Sequence, residues 1–341
     1  MYNFKNMTIE ELEEFFQDIG ETKYRAKQVY KWIYQGVTDF DDMTDISKKL
    51  REKLKEIAYI SQIKIEAKKI SKIDNTAKYL FLLEDNNIIE SVAISYSFGN
   101  TACVSTQVGC NMKCSFCASA IGGKIRDLDA SEMVNQVLLI NSDYGKISNI
   151  VLMGSGEPFD NYDEVMRFIK IINNPFGIGI GSRHITISTC GIVPKIYKFA
   201  DEKLQVNLSI SLHAPNDKLR SQLMPINNAY PLSELMNACK YYVEKTKRRI
   251  TFEYSLIEGV NDKKEHAVEL AGLLKGMMCH VNIIPINFVN DIGYKKSKNE
   301  NILMFKKIIE NAGISCTIRR ELGSDIEAAC GQLRRKYLKE R

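Results

Sequence analysis

The sequence predicts an α/β fold: a parallel sheet, open or closed into a barrel, carried behind a small helical module. Three observations predict it. From Thr101 to the end, strand-like and helix-like segments alternate, the rhythm of βα units. Between Ile63 and Ser97 the apolar residues follow a period of two, as in antiparallel strands. Before residue 60 the period is helical and the helix-start signals are strong.

The helical module comes first. Thr8 precedes IEELEEFFQDIG, and Glu11 stands three residues on, which forms a capping box; Gly20 ends the segment. KYRAKQVYKWIY comes second and stops at Gly36, and ISKKLREKLKEI comes after Asp45. The last segment puts apolar residues on one face and lysines and arginines on the other. That face reads equally as a solvated surface and as an RNA contact. The strands IKIEAKKI, AKYLFLLE and IIESVAISY come next, with Asp85-Asn86-Asn87 as the turn between two of them. The predicted organisation is a helical accessory domain over 1–60, a linking antiparallel sheet over 61–98 and a catalytic domain over 99–341. In the last, the strand candidates are TACVSTQ, SNIVLMG, RHITIST, VNLSISLH, RITFEYSLIEG, HVNIIPINF and ISCTIRR. Helical stretches such as ASEMVNQVLLINSDYG, KKEHAVELAGLLKG and NENILMFKKIIENAG separate them.

At 341 residues and 45% apolar content the chain can bury a large core, and seven prolines among mixed charges argue against disorder. A net charge of +5 is compatible with a nucleic-acid substrate without requiring one. The N-terminus, MYNFKNMTIEELEEFF, is acidic and lacks the apolar run of a signal peptide, and no stretch is apolar enough to span a bilayer. The expected location is the cytoplasm. There nine cysteines would stay reduced, so clustered ones point to metal or redox chemistry.

Chemistry in a parallel α/β sheet collects at the C-terminal ends of the strands. Cys110 to Cys117, Gly154 to Glu157, Ser188, His213 and Asn287 each follow or end a predicted strand. CNMKCSFC sets Cys110, Cys114 and Cys117 in C-x3-C-x2-C spacing. Three thiolates so close grip one soft metal centre, and the spacing differs from zinc-finger pairs and from ferredoxin runs. Three ligands on a four-iron cluster leave one iron open to bind another molecule. The alternatives are a structural zinc site with a fourth cysteine, or three buried thiols. Cys190, Cys239, Cys279 and Cys316 lie in apolar stretches and read as small buried hydrophobes.

These three cysteines, with Phe116 before the last, resemble the radical-SAM superfamily, whose members cleave S-adenosylmethionine (SAM) at a [4Fe-4S] cluster. MGSGEP resembles the superfamily's glycine-rich SAM motif. STQVGCNMKCSFCAS, MGSGEP, ISTCGIVP, LSISLHAPND, LMPIN and DIEAACGQLR in this order are similar to the RlmN/Cfr family of adenosine methyltransferases. The resemblance spans nearly the whole chain. It implies a partial (β/α)6 barrel with an N-terminal RNA-binding module. It also implies one cluster, two SAM molecules per turnover, 23S rRNA and tRNA as substrates and a flavodoxin-type electron donor; a monomer is assumed.

The same resemblance implies residue roles. Cys330 would accept a methyl group from SAM. A 5′-deoxyadenosyl radical would take hydrogen from that methyl, and the carbon radical would add to adenine. Glu90 would accept a proton, and Cys103 would release the RNA by forming a transient disulfide with Cys330. Gly156 and Glu157 would hold the SAM amino group, with Ser188, Ser211, Leu212, His213 and Asn287 as further SAM contacts. On the residues alone, Glu90 reads as a surface carboxylate, His213 as a structural histidine, and Ser188 and Ser211 as strand alternation. Pro158 after Glu157 resembles the C2 branch of the family, where the C8 branch tends to have Ala. Ser155 departs from the Met of many members. The lysines of ISKKLREKLKE and the tail RRKYLKER are candidate phosphate contacts.

Overall fold

The computed structural model describes residues 1–286 and 293–326. Near the N-terminus, β1 (Tyr2–Asn3) precedes α1 (Ile9–Asp18), α2 (Lys23–Tyr34) and α3 (Lys48–Ile57), and β2 (Ala58–Tyr59) closes the module by pairing parallel to β1. The capping box forms: Glu11 N donates to Thr8 Oγ1 at 3.3 Å, and Thr8 N donates to a Glu11 carboxylate oxygen at 2.8 Å. Ser47, rather than Asp45, caps α3. Buried hydrogen bonds fix the module to the rest of the chain. Lys5, itself buried, donates to Asn135 Oδ1 at 2.7 Å and to the Ser61 carbonyl at 2.8 Å. Tyr30 donates to the Ile171 carbonyl at 3.3 Å.

Next come β3 (Lys64–Ile70), β4 (Ala77–Leu82), β5 (Ile88–Tyr96) and β6 (Gly99–Cys103), an antiparallel meander. The meander is continuous with the larger sheet, because β6 also pairs parallel to β9 (Ile147–Leu152). Before β9 stand a short hairpin, β7 (Gln107–Gly109) with β8 (Lys124–Asp127), and α4 (Ala130–Tyr144). The chain then runs through α5 (Tyr162–Asn173), β10 (Ile185–Thr189), α6 (Val193–Asp201) and β11 (Asn207–Ser211). It continues with α7 (Asp217–Leu223), α8 (Leu232–Thr246), β12 (Ile250–Leu256), α9 (Lys264–Leu274), β13 (Cys279–Pro285), α10 (Asn299–Asn311) and β14 (Ser315–Ile318). One ten-stranded sheet results, in the order β14-β13-β12-β11-β10-β9-β6-β5-β4-β3. Strand β6 and strands β9 to β14 are parallel, so six βα units and a final strand form the partial barrel.

Along β10 the burial alternates. Ile185 and Ile187 pack in the core under the helices, while Thr186 and Ser188 on the other face are only half-buried. The segment TACVSTQ, expected as one strand, breaks after Cys103. The cause is Gln136 on α4. Its carbonyl accepts Ser105 N at 2.9 Å and its amide donates to Ser105 O at 3.0 Å, so Ser105 leaves the ladder. The break lets the chain turn and start β7, which delivers the cysteine loop. Among the described residues no helix is long and apolar enough to cross a membrane.

Candidate active site

The cysteine loop begins where β7 ends. Gly109 has φ +82°, and a Cβ there would lie 1.9 Å from the Gly123 carbonyl oxygen, so only glycine fits. Cys110 N donates to that same carbonyl at 3.2 Å, and Cys117 N donates to Cys114 O at 3.1 Å. Ser115 N donates to Leu223 O at 2.9 Å, which ties the loop to the end of α7. Met112, Cys114 and Phe116 pack on an apolar cluster that includes Cys190, Leu223 and Ile286.

Burial pushes the Cys110 thiol up to about 12, and Cys117 and Glu157 nearby push it further in the same direction. Cys114 is raised for the same first reason, with Cys117 and Cys110 adding to it. The three sulfurs therefore lie in each other's field in a poorly solvated loop. Such thiols ionise when a cationic metal centre compensates them. Among the described residues no three or more His, Cys, Asp or Glu converge closely enough to hold a single metal ion. Three thiolates on separate irons of a cluster need no such convergence, and this donor set fits one.

Beside the loop, the turn after β9 is held against the chain between β6 and β7. Gly156 has φ +109°, and a Cβ there would lie 2.6 Å from Gln107 Cβ. Glu157 N donates to Gln107 Oε1 at 2.9 Å. The Glu157 carboxylate is buried and accepts from Phe159 N at 3.0 Å and Cys190 N at 2.7 Å. Burial pushes its carboxyl above the usual range, against these hydrogen bonds. Ser155 is also buried, and its hydroxyl sits 3.1 Å from that of Ser119, just past the cysteine loop.

Ser188 lies on β10 in register with Ser209 of β11, half-buried; Ser211 ends β11, and Leu212 is buried in the core. His213 takes a left-handed conformation, φ +57°, pinned by Asn261 Nδ2 donating to its carbonyl at 2.8 Å. Its Nδ1 accepts Ser255 N at 2.9 Å, which places the proton of the neutral ring on Nε2. The Phe116 ring meets it edge-on at 4.8 Å. Burial, then the nearby Arg220, hold His213 down to about 3.

This burial makes a pH prediction. The unfolded histidine titrates near 6.5, so between about 6.5 and 3 only the unfolded state binds this proton. His213 should thus remove stability as pH falls through that window, on the order of 1.4 kcal/mol per unit. Denaturant titrations of the wild type and His213→Asn at pH 7 and 5 test it. The variant should lose less stability on acidification; an equal loss would overturn the assignment.

Cys103 ends β6 opposite Val92 of β5. It lines a cavity of about 240 Å3 together with Phe116, Cys117, Met153, Ser255 and Arg319. Glu90 on β5 is 3% exposed, and its carboxylate lies 3.3 Å from Lys78 Nζ of β4, which is fully buried. The surface-carboxylate reading of Glu90 is therefore overturned. Its strand is covered on both faces, with Ile89 and Ala93 in the main core and Val92 and Ile94 beside Cys103. Asn287 and Cys330 lie outside the described residues, as does the tail RRKYLKER. Cys190, Cys239, Cys279 and Cys316 are buried, as expected. Cys190, however, meets the site through its backbone.

Sequence reasoning missed Arg220. It is fully buried on α7 and donates to Cys190 O at 2.6 Å, Leu212 O at 3.3 Å and Asn227 Oδ1 at 3.0 Å. It ties the ends of β10 and β11 together beneath the site. Lys78, Ser105 and Gln107 were missed too. The signal for Lys78 was available: it and Glu90 are lone opposite charges on otherwise apolar strand faces.

Comparison with known proteins places this geometry. Residues 2–60 match the family model of the ribosomal RNA large subunit methyltransferase N-terminal domain, and residues 104–271 match the radical SAM superfamily. Probable dual-specificity RNA methyltransferases RlmN resemble the chain throughout. That of Thermoanaerobacter sp. (strain X514) is 81% identical over 342 residues, covering 100% of both chains. That of Clostridioides difficile (strain 630) is 54% identical over 334 residues, covering 98% of this chain and 97% of its own. The crystal structure of a radical SAM methyltransferase from Sphaerobacter thermophilus superposes with a TM-score of 0.92 at 43% identity, covering 97% of this chain and 99% of the other. The chain belongs to the RlmN family of radical-SAM dual-specificity RNA methyltransferases.

Proposed function

We propose that the chain methylates C2 of an adenosine in the peptidyl-transferase region of 23S rRNA and of the adenosine 3′ of the anticodon in tRNAs. The observation that carries this reading is the shared cavity: Cys103 and Cys117 line it together, and Glu90 lies on the strand paired with that of Cys103. An aromatic C2 carbon offers no lone pair to an electrophilic methyl donor, so a radical route is required. Cys110, Cys114 and Cys117 would hold a [4Fe-4S] cluster, which would supply the electron for one-electron cleavage of SAM. Gly156, Glu157, Ser188, Ser211, Leu212, His213 and Asn287 form the SAM cradle.

The chain's own residues carry the carbon. Cys330 attacks the methyl group of one SAM through its thiolate and holds it as a thioether. After a second SAM is consumed to remove one hydrogen atom from that methyl, the carbon is bonded both to Cys330 sulfur and to adenine C2. Glu90 then takes the C2 proton as the adduct gives up its odd electron, which the cluster would take back, and the ring is aromatic again. The Cys103 thiolate attacks Cys330 sulfur, the carbon leaves with the carbon–sulfur electron pair and is protonated to a methyl group, and a Cys103–Cys330 disulfide remains for external reduction. The N-terminal helical module contributes RNA contacts, a flavodoxin-type protein donates electrons, and the chain acts as a monomer. The alternative product is 8-methyladenosine; Pro158 after Glu157 supports the C2 branch.

Nucleoside mass spectrometry of RNA incubated with the anaerobic enzyme, SAM and a reductant tests the reading. The expected product is 2-methyladenosine, from protein holding about four irons per chain, the content of one [4Fe-4S] cluster. Only 8-methyladenosine would overturn the position. Stoichiometric zinc with no iron would overturn the chemistry.

A further inference from the structure

Among the described residues the cysteine loop is packed at one end of the site, and a wider space opens at the other. Around the cysteine loop, Phe116 packs on His213 and on the apolar cluster of Leu223 and Ile286. Away from the loop, the cavity holding Cys103 and Cys117 shares Ile94, Tyr96, Met153 and Leu322 with a larger space running down the barrel. That space ends at the N-terminal ends of the parallel strands. Arg183 and His184 precede β10 there, and Lys247 to Arg249 precede β12. Among the described residues, this lower mouth offers a route to the cysteines.

The mouth has a distinctive chemistry. Phe98, at the β5–β6 turn, is 70% exposed. Its ring is stacked on Tyr96 at 4.9 Å and 8°. Tyr96 also lines the inner cavity, so the pair reaches from the mouth toward the site. Arg183, Lys247, Arg249 and Arg320 surround the opening and are exposed. Among the described residues lining this space the carboxylate is that of Glu253, which is buried and accepts from Asn282 at 2.8 Å. Cations around an exposed aromatic face suit unpaired RNA, whose bases stack and whose phosphates pair with guanidinium groups. A continuous duplex offers no free base face. The basic face of α3 is a poorer candidate, because Lys53 donates to Ile19 O, Arg51 to Asp41 O and Lys55 to the Asp41 carboxylate.

We propose that Phe98, backed by Tyr96, is a stacking platform for an unpaired nucleotide flanking the target adenosine, with Arg183 and Arg249 contacting its phosphates. The inference rests on RNA being the substrate. It makes Phe98 a substrate-positioning residue rather than a member of the radical machinery.

The test uses the full chain and two probes, an RNA hairpin with the target adenosine in its loop and a blunt duplex RNA. Fluorescence anisotropy gives Kd for each across a salt series. Phe98→Ala should weaken hairpin binding about 5- to 100-fold, the range for loss of one base–aromatic stack. Duplex binding should not change, and Phe98→Trp should restore hairpin affinity. The double variant Arg183→Ala, Arg249→Ala should lower the salt slope for the hairpin by about 1.4, as expected for two phosphate contacts. Unchanged hairpin affinity in Phe98→Ala, or an equal loss on hairpin and duplex, would overturn the platform. If the wild type methylates RNA while Phe98→Ala keeps its KM, this inference alone fails. If the wild type methylates no RNA, the proposed function fails instead.

Discussion

Replacing Cys103 with Ala is expected to leave RNA covalently attached to the chain. In the proposed sequence of bonds, methylene joins Cys330 sulfur to adenine until a second thiol attacks that sulfur. Cys103 is in the wall of the reaction cavity, at the end of β6, with Val92, Ile94, Met153 and Leu322 as apolar neighbours. Alanine keeps the Cβ and removes only the nucleophile. A small buried truncation of this kind costs on the order of 1 kcal/mol, so the fold survives. The expected result is a slow band on a denaturing gel that ribonuclease collapses, with methylated RNA reduced to background. Cys330→Ala should give neither band nor product. Product formation by Cys330→Ala would eliminate the methyl-cysteine route, and release of methylated RNA by Cys103→Ala at the wild-type rate would remove Cys103 from it.

Lys78→Met should damage both stability and turnover, and a second substitution should separate the two. Lys78 and Glu90 are buried together, and breaking such a pair by removing one partner costs about 3–5 kcal/mol. Replacing both with apolar residues of similar volume is close to neutral. Lys78→Met alone should therefore lower the urea midpoint sharply. Lys78→Met with Glu90→Leu should recover most of it and still fail to methylate RNA, since the proposed proton acceptor is gone. Glu90→Gln keeps the shape but leaves the buried Lys78 charge uncompensated, so it should also lower the urea midpoint; its distinct expected effect is on turnover, with the covalent adduct accumulating as in Cys103→Ala. Wild-type methylation by the Glu90→Leu double variant would show that the pair is only structural.

Much of the fold was legible because periodicity and caps are local signals. The segment KYRAKQVYKWIY is α2 from first residue to last, and IIESVAISY is β5. What escaped was set by long-range partners. Gln136 breaks the strand after Cys103 from 31 residues away in sequence, and no local pattern announces it. The meander was legible as an antiparallel linking sheet; that β6 pairs with both β5 and β9 and so runs it into the parallel strands was not. At the site, the cysteine spacing alone located the loop, since thiols so close have few uses. Arg220 was invisible because in DKLRSQL it looks like any solvated helix residue. The carbonyls of Cys190 and Leu212, just past β10 and β11, together with Asn227 Oδ1 explain why it is buried.

The strand order carries a consequence for biosynthesis. From β3 to β14 the sheet keeps chain order, with only the β7–β8 hairpin standing aside. Each strand leaving the ribosome finds its neighbour already made, so the sheet grows from one edge without rearrangement. The cysteine loop is synthesised early, between β7 and β8, while Cys330 comes after β14 and is translated after every described strand of the barrel. On the proposed function, a chain cut short after β14 would own the scaffold for making radicals but not the sulfur that receives the methyl group. Residues that follow β14 would then decide whether the finished barrel modifies RNA at all.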